Sequence, residues 1–260
     1  TKNSSDRYEY IYPNVEFNKE FGETNLPGSI SLNSSLFQKQ FDTNKTKQSL
    51  ITDIIYTSDT SFNDRGLSND FKLLFKNPNI REKTGSKNQS STNTKLLTKL
   101  MYTMSYPLKK EGEFYNSFLK PKLSLRFSPN NTKNLSNEDR RLDISNISSI
   151  NRLGISDGVE GGQSITTGLE YSFRDKIGKE KISLNLSQVL RDKANPDLPK
   201  NSTLNNKYSD IIGNIKFDLF DNLNFDYDFM VDNNLDKLNY NSIDANLAVN
   251  NLSLIHISEP

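Results

Sequence analysis

The sequence predicts an all-β chain, an antiparallel meander that forms part of a large transmembrane outer-membrane β-barrel. Residues 222–231 show this most clearly, because apolar side chains occupy every odd position from Leu223 to Val231 and Asn or Asp occupies the even positions 222–228. Successive side chains of a strand point to opposite faces, so this strand has one apolar, aromatic face and one polar face. The same alternation recurs along the chain without a helical pattern, as a membrane barrel requires.

The composition fits a wall that is apolar on one face only. Only 33% of the 260 residues are hydrophobic and the mean hydropathy is −0.71, whereas soluble domains average about 45% apolar residues. Disorder would explain such a composition, but the 15 Phe and 11 Tyr residues lie in alternating registers. A barrel with a wet interior needs one apolar face per strand, so low hydropathy and order are compatible.

Charge, cysteine content and hydropathy disfavour several functional classes. The 33 Lys and Arg residues nearly balance the 32 Asp and Glu residues, so no overall charge favours nucleic acid. The chain has no cysteine, which excludes a disulfide framework and a thiolate metal site. No apolar run of about 18 residues predicts a transmembrane helix. No signal peptide opens the chain, and for an outer-membrane protein this predicts that an N-terminal part lies outside the sequence.

Eleven strands are expected. The first spans about 7–18 and changes phase near Pro13, as at a β-bulge. The second covers 29–41 and the third 48–57, and the aliphatic residues of the third do not keep one phase. Those residues are Leu50, Ile51, Ile54 and Ile55. The fourth strand is marked by Phe71, Leu73 and Phe75, and the fifth by Leu96, Leu100, Tyr102, Met104 and Tyr106.

The later strands alternate more regularly, and the apolar residues of each strand are separated by an even number of positions. The tenth strand is the segment 222–231 already described. The apolar face is formed by Leu119, Leu123, Leu125 and Phe127 in the sixth strand, by Ile165, Leu169, Tyr171 and Phe173 in the seventh, by Ile182, Leu184 and Leu186 in the eighth, by Ile211, Ile215, Phe217 and Leu219 in the ninth, and by Ile243, Ala245, Leu247 and Val249 in the eleventh, which begins near Leu238.

Connection lengths alternate from the fourth strand onward. The long, polar connections are 77–94, 128–163 and 192–206, and the short ones are 109–114, 175–179 and the Asp221-Asn222 turn. Outer-membrane barrels have long external loops and short periplasmic turns, so this alternation supports the predicted fold. The early connection 42–47 is shorter than the rule expects.

We divide the chain into a partial barrel domain over residues 1–252 and a tail over residues 253–260. The tail reads Ser-Leu-Ile-His-Ile-Ser-Glu-Pro and is similar to a translated sequencing-adapter artefact, so we exclude it from the fold. It contains His256, the only histidine. The sequence therefore predicts no histidine chemistry.

Short motifs in 142–213 resemble the barrel region of one family. In chain order they are Leu-Asp-Ile-Ser-Asn-Ile (142–147), Asn-Arg-Leu-Gly (151–154), Val-Glu-Gly-Gly (159–162), Gly-Leu-Glu-Tyr (168–171), Leu-Ser-Gln-Val-Leu-Arg (186–191), Asn-Pro-Asp-Leu-Pro (195–199) and Ser-Asp-Ile-Ile-Gly (209–213). Tyr-Glu-Tyr-Ile-Tyr-Pro (8–13) and Lys-Pro-Lys-Leu (120–123) add weaker matches. In this order and spacing they resemble the LPS-assembly outer-membrane protein family (LptD, also called OstA or Imp) over roughly 7–250. The chain departs from that family at Ser187, where a glycine is usual, and in its lack of cysteines.

The resemblance implies a periplasmic jellyroll followed by a very large barrel, of which this chain would be a middle slice without the closing strands. It implies transport of lipopolysaccharide into the outer leaflet of the Gram-negative outer membrane, with no enzyme activity. The implied partners are lipopolysaccharide, the plug lipoprotein of the LPS translocon and outer-membrane lipids. No nucleic acid, cofactor or metal is expected.

Charged residues of the polar strand faces would face the lumen if the aromatic face meets lipid. Their cations suit phosphate groups, but they would equally form ion pairs with neighbouring acids across the wall. The candidates for a substrate path are Lys120, Lys122, Arg126, Glu170, Arg174, Lys216, Asp226 and Asp228.

The long connection 129–163 supplies the second group of candidates. Either it folds over or into the lumen and shapes the transport route, or it is a solvated loop whose Asn and Asp residues satisfy turns. The candidates are Asp143, Asn146, Asn151, Arg152 and Glu160.

The sequence also allows two other functions: a porin- or receptor-type outer-membrane barrel for small solutes, and a soluble all-β binding module. Catalysis is disfavoured. Asp226 and Asp228 would lie about 7 Å apart on one strand face, a spacing that glycosidase carboxylates can adopt. Exposed acids two positions apart on a strand are, however, ordinarily solvated, so we predict no catalytic residue.

Overall fold

The computed structural model describes residues 8–22, 27–41, 45–84, 89–220, 223–249 and 252–254. They form one antiparallel sheet of 15 strands, which confirms the predicted fold class. No helix in these ranges is long and apolar enough to cross a membrane. The strands are β1 (Tyr8–Phe21), β2 (Gly28–Phe41), β3 (Thr46–Ser58), β4 (Ser61–Phe62), β5 (Ser68–Thr84), β6 (Gln89–Thr94), β7 (Leu97–Ser105), β8 (Leu108–Glu111), β9 (Tyr115–Ser128), β10 (Gly162–Asp175), β11 (Glu180–Arg191), β12 (Ile211–Phe220), β13 (Leu223–Val231), β14 (Leu238–Val249) and β15 (Leu252–Leu254).

The sheet is a meander in which the long strands pair in chain order. Its order is β1-β2-β3-β5-β7-β9-β10-β11-β12-β13-β14-β15, while the short strands β4 and β6 pair with β5 and β8 pairs with β9. Each of the eleven predicted strands overlaps one long strand, and the register of β1 shifts between Ile11 and Asn14, where a bulge was expected. Among the described strands the sheet is open, with β1 at one edge and β15 at the other.

The predicted loop 77–94 is wrong in part. β5 continues through this region to Thr84, and β6 pairs back onto it from Asn79↔Thr94 to Thr84↔Gln89. The sequence of β6, Gln-Ser-Ser-Thr-Asn-Thr, has no apolar alternation, so its pattern does not indicate a strand. Backbone hydrogen bonds form this hairpin without needing an apolar face.

Continuous register gives the sheet two distinct faces. Tyr102 pairs with Leu125, Leu125 with Ile165, and Ile165 with Leu190, so these side chains share one face. We call it the outward face, and it also carries Phe225, which is 42% exposed. Its exposed apolar side chains are typical of a surface that lipid covers. The opposite, inward face carries the segment 129–161.

The long connections lie at one end of the sheet. Antiparallel order places 129–161, 192–210 and 232–237 at the end where β9, β11 and β13 finish, and the turn 176–179 at the other end. The connection 192–210 includes a 3-10 turn at Lys200–Ser202. The Asp221-Asn222 turn and residues 255–260 lie outside the described residues. The first two residues of the predicted tail, Ser253 and Leu254, belong to β15 and pair with β14. The artefactual nature of the tail stays a prediction.

Candidate functional site

The segment 129–161, which joins β9 to β10, is folded against the inward face, and we call it the covering segment. Its two ends meet, because Ser128 pairs with Gly162 in the sheet. A Cβ atom at Gly161 would lie 2.0 Å from the carbonyl oxygen of Asn130, so the segment closes on itself where only glycine fits. The covering segment is therefore an insertion between two neighbouring strands.

Two apolar clusters attach the covering segment to the wall. In the first, segment residues pack on Val189, Ile212 and Met230 of the wall and on the connection 192–210; in the second, Ile150 and Val159 pack on β5 and β7. Fully burying one such side chain contributes about 1.5–3 kcal/mol. The remaining members are Leu135, Leu142, Ile147, Leu153, Ile155, Leu198 and Leu204 in the first cluster and Leu74, Leu97 and Met101 in the second. The covering segment is thus a packed second layer and not a solvated loop.

A buried ion pair lies between the two apolar clusters. Arg152 and Glu160 both belong to the covering segment, and the Nε of Arg152 donates to the Oε2 of Glu160 at 2.8 Å. Arg191 of β11 also donates to the Glu160 carboxylate, and the Nζ of Lys99 lies 3.9 Å from it. Arg152 further donates to the hydroxyls of Ser164 and Thr166 on β10, each at 3.2 Å.

Glu160 is ionised in this cluster. Burial alone would raise the pKa of its carboxyl, but the charges of Arg152, Lys99 and Arg191 outweigh burial and hold the pKa well below its usual range. The Glu160 carboxylate therefore links Arg152 of the covering segment to Lys99 of β7 and Arg191 of β11.

Wall cations also bind the backbone of the covering segment. The Nη2 of Arg126 donates to the carbonyl oxygens of Ile147 and Ser149, each at 2.8 Å. The Nζ of Lys99 donates to the Ile150 carbonyl at 3.1 Å. Lys76 donates to the Ser156 carbonyl at 2.9 Å and to Asp53 at 2.6 Å. These bonds fix the segment's height and register on the wall.

The remaining segment candidates shape its turns. The side chain of Asp143 accepts from the backbone N–H of Asn146 at 2.9 Å. The amide of Asn151 accepts from the Ile155 N–H and donates to the Ile155 carbonyl, both at 3.0 Å, around Gly154 with its φ of 60°. Asp143, Asn146 and Asn151 thus fold the backbone that carries Arg152.

The other wall candidates lie beyond the covering segment and remain partly exposed. Glu170 lies 3.6 Å from the Nζ of Lys120 and 3.5 Å from that of Lys122, and Lys216 lies 3.0 Å from Asp226. Arg174 lies 3.3 Å from Glu180, and Asn214 donates to both Asp226 and Asp228. Ion pairs occupy these groups, except Asp228, which accepts a hydrogen bond from Asn214, and their role in a substrate path stays a prediction.

The structure therefore joins Arg126, Arg152 and Glu160 in one cluster and leaves the other wall charges spread along the sheet. Three members of the buried network, Lys76, Lys99 and Arg191, are absent from the sequence-based candidates. Lys99 had a usable signal, because it directly precedes the outward-facing Leu100 and so belongs to the polar phase of its strand. Among the described residues no group of His, Cys, Asp and Glu side chains could hold a metal ion.

Comparison with known proteins identifies the family. The sequence model of LptD, LPS transport system D, matches residues 13–258. The chain belongs to the LptD family. The match covers the barrel strands and the covering segment alike, and it confirms the resemblance read from the motifs in 142–213. A search of curated proteins returned no match.

LptD proteins serve LPS transport and assembly in the outer membrane and are not an enzyme family. The all-β sheet, with its apolar outward face, agrees with an outer-membrane barrel. Family and fold together favour this class of function over the porin-type and soluble alternatives.

Proposed function

We propose that this chain forms part of the wall of the LPS translocon barrel and that its covering segment lines the route by which lipopolysaccharide reaches the outer leaflet. The single observation that supports this is the asymmetry of the sheet. One face is apolar and exposed, whereas the other carries charged strands and a folded, charged segment.

The two faces meet different parts of an amphiphile. An acyl chain gains free energy only against apolar surface, while sugars and phosphates need hydrogen-bond donors and cations. For the polar part the inward face provides Lys216, which is exposed, and Lys120 and Lys122, which are partly exposed. The same inward groups, with Asn151 on the covering segment, would contact the plug lipoprotein, and the outward face would contact outer-membrane lipids.

Site-specific photo-crosslinking in the intact protein tests this proposal. A photo-reactive residue at Asn151 should capture lipopolysaccharide or the plug lipoprotein, because Asn151 lies on the covering segment at the inward face. The matched control at Phe225, on the outward face, should capture only membrane lipid. If Asn151 yields neither partner while the protein remains active in LPS assembly, the segment does not line the route.

A further inference from the structure

The buried cluster beneath the covering segment holds more positive than negative charge. Lys99, Arg126, Arg152 and Arg191 are each at most 4% exposed, and Glu160 is the one carboxylate among them with comparable burial in the described part of the chain. Asp192 also acts on Arg191, but from an exposed position. Buried charges are costly unless they are paired, so this excess demands an explanation.

Three of these cations belong to the wall and lie side by side, and we call Lys99, Arg126 and Arg191 the cation strip. Arg126 pairs in register with Met101, two positions from Lys99 on β7. Arg126 also pairs with Ser164, which in turn pairs with Arg191. The strip therefore crosses β7, β9 and β11 on the inward face, with Arg126 and Arg191 in register and Lys99 two residues away from that line.

Apart from the exposed Asp192, the negative partners of the strip come from the covering segment or its end. Glu160 supplies the carboxylate, and the carbonyl oxygens of Ile147, Ser149, Ile150 and Gly161 supply dipoles. Carbonyl dipoles do not neutralise a guanidinium charge. The Nε atoms of Arg126 and Arg191 are buried and have no hydrogen-bond partner. The covering segment thus leaves part of the positive charge and two buried N–H donors of the strip unpaired.

A phosphate group would satisfy the strip better. Its oxygens accept several hydrogen bonds and match the planar donors of guanidinium groups. We propose that the cation strip is an anion-binding site for the phosphate of an amphiphile, and that the covering segment occupies this site in the present structure, with Glu160 in place of the ligand. The proposal rests on the proposed function, which brings a phosphorylated glycolipid to the inward face.

Displacement of the covering segment removes Arg152 and Glu160 from the wall together. The strip then faces the lumen as three cations without a buried acid. Lys76, by contrast, keeps its partner Asp53 of the neighbouring strand, 2.6 Å away. A phosphate can therefore bind the cation strip only when the Glu160 carboxylate leaves it. Ligand binding is in this way coupled to displacement of the covering segment.

Binding of lauryl phosphate to the detergent-solubilised protein, followed by 31P NMR, tests the proposal. Glu160→Gln weakens the attachment of the segment and should tighten binding about tenfold, equivalent to one charge-assisted hydrogen bond. The matched control is Glu16→Gln, which removes an exposed carboxylate from the same face on β1 and should leave binding unchanged. Labelling of a cysteine at Ile150→Cys, in this cysteine-free chain, reports whether the segment has opened.

A second variant exposes the strip outright. Replacing residues 131–160 by a short Gly-Ser linker is feasible because Ser128 and Gly162 are paired. This variant should bind lauryl phosphate at least as tightly as Glu160→Gln. Adding Arg126→Gln and Arg191→Gln should abolish the gain, whereas adding Lys19→Gln and Lys109→Gln, two exposed lysines outside the strip and the proposed substrate path, should not. No gain in the shortened variant, or a gain that survives loss of both arginines, overturns the proposal.

Inorganic phosphate, measured in parallel, identifies the source of the anion. An equal gain shows that charge alone is recognised, and a gain confined to lauryl phosphate shows that the acyl chain contributes. Either result supports the strip, and an absence of both overturns it. If Asn151 captures lipopolysaccharide but the strip binds no phosphate, the strip proposal alone fails; the reverse result contradicts the proposed function.

Discussion

β11 and β1 belong to one sheet, yet their inward faces differ completely. On β11, Val189 and Arg191 are 0% and 3% exposed because the covering segment lies over them. On β1, every described side chain from Tyr10 to Phe21 is exposed, including the inward-facing Glu16 and Asn18. An inward-facing side chain is therefore buried only where another part of the chain, such as the covering segment, packs over it.

The same difference separates two classes of ion pair. Arg152–Glu160 is fully buried, so removing one partner leaves an uncompensated charge in a dry environment. Lys120–Glu170 faces solvent, where water screens both charges. The covered and uncovered parts of the wall should therefore respond very differently to similar substitutions.

The largest effect is expected at Glu160. Breaking a buried ion pair costs about 3–5 kcal/mol, so Glu160→Ala should accelerate maleimide labelling of a cysteine at Ile150→Cys by about a hundredfold or more. Labelling at the wild-type rate in properly folded protein would show that the carboxylate does not hold the segment on the wall.

The outward face should be next in sensitivity. Phe225→Arg should lower the free energy of unfolding in lipid by about 2–4 kcal/mol if this position lies near the bilayer midplane. Its neighbour Asp226→Asn should change little, because the inward face there is wet. Urea titrations of the two variants in lipid vesicles measure the difference. If both substitutions change the free energy of unfolding by the same amount, the assignment of Phe225 to the outward face and Asp226 to the inward face is wrong.

A smaller effect should follow from pH. The pKa of Glu160 is lower in the folded protein than the ordinary value of about 4.3, so its stabilisation is fully present above that pH and decreases as the pH falls further. Each pH unit below about 4 should cost at most about 1.4 kcal/mol of closing free energy. Cysteine labelling at residue 150 should therefore accelerate in acid. In Glu160→Gln this part of the pH dependence should disappear.

The smallest effect is expected at Glu170. Its side chain is 43% exposed between Lys120 and Lys122, and exposed pairs contribute about 0–1 kcal/mol. Glu170→Gln should leave both unfolding and segment labelling close to wild type. A loss comparable to that of Glu160→Ala would mean that the two parts of the wall are equivalent.

Alternation predicted the long strands because each outward face must stay apolar against lipid. The ambiguous phase of β3 has a physical cause in the covered wall. Leu50 and Ile54 face outward and are 41% and 43% exposed, whereas Ile51 is buried on the inward face and Ile55 packs on the second apolar cluster. A strand that is covered on both faces carries apolar residues on both, so its sequence does not alternate between apolar and polar positions.

Hydrophobic periodicity could not predict how the covering segment packs. Leu135, Leu142, Ile147 and Leu153 are spaced irregularly and meet only through tertiary packing. The motifs marked Arg152 and Glu160 as candidates, but nothing local to the sequence reveals that Arg191 of β11 donates to the same carboxylate. Such a network depends on strand order and register, which the pattern of a single segment does not contain.

Spin-label accessibility at three sites tests the central claim most directly. A label at Leu190 should be accessible to oxygen from the lipid phase, and a label at Asp226 to a water-soluble nickel chelate. A label at Val189, which also faces inward but lies under the covering segment, should be protected from both reagents. If Val189 is as accessible to the nickel chelate as Asp226 in the folded protein in lipid, the covering segment does not cover the wall.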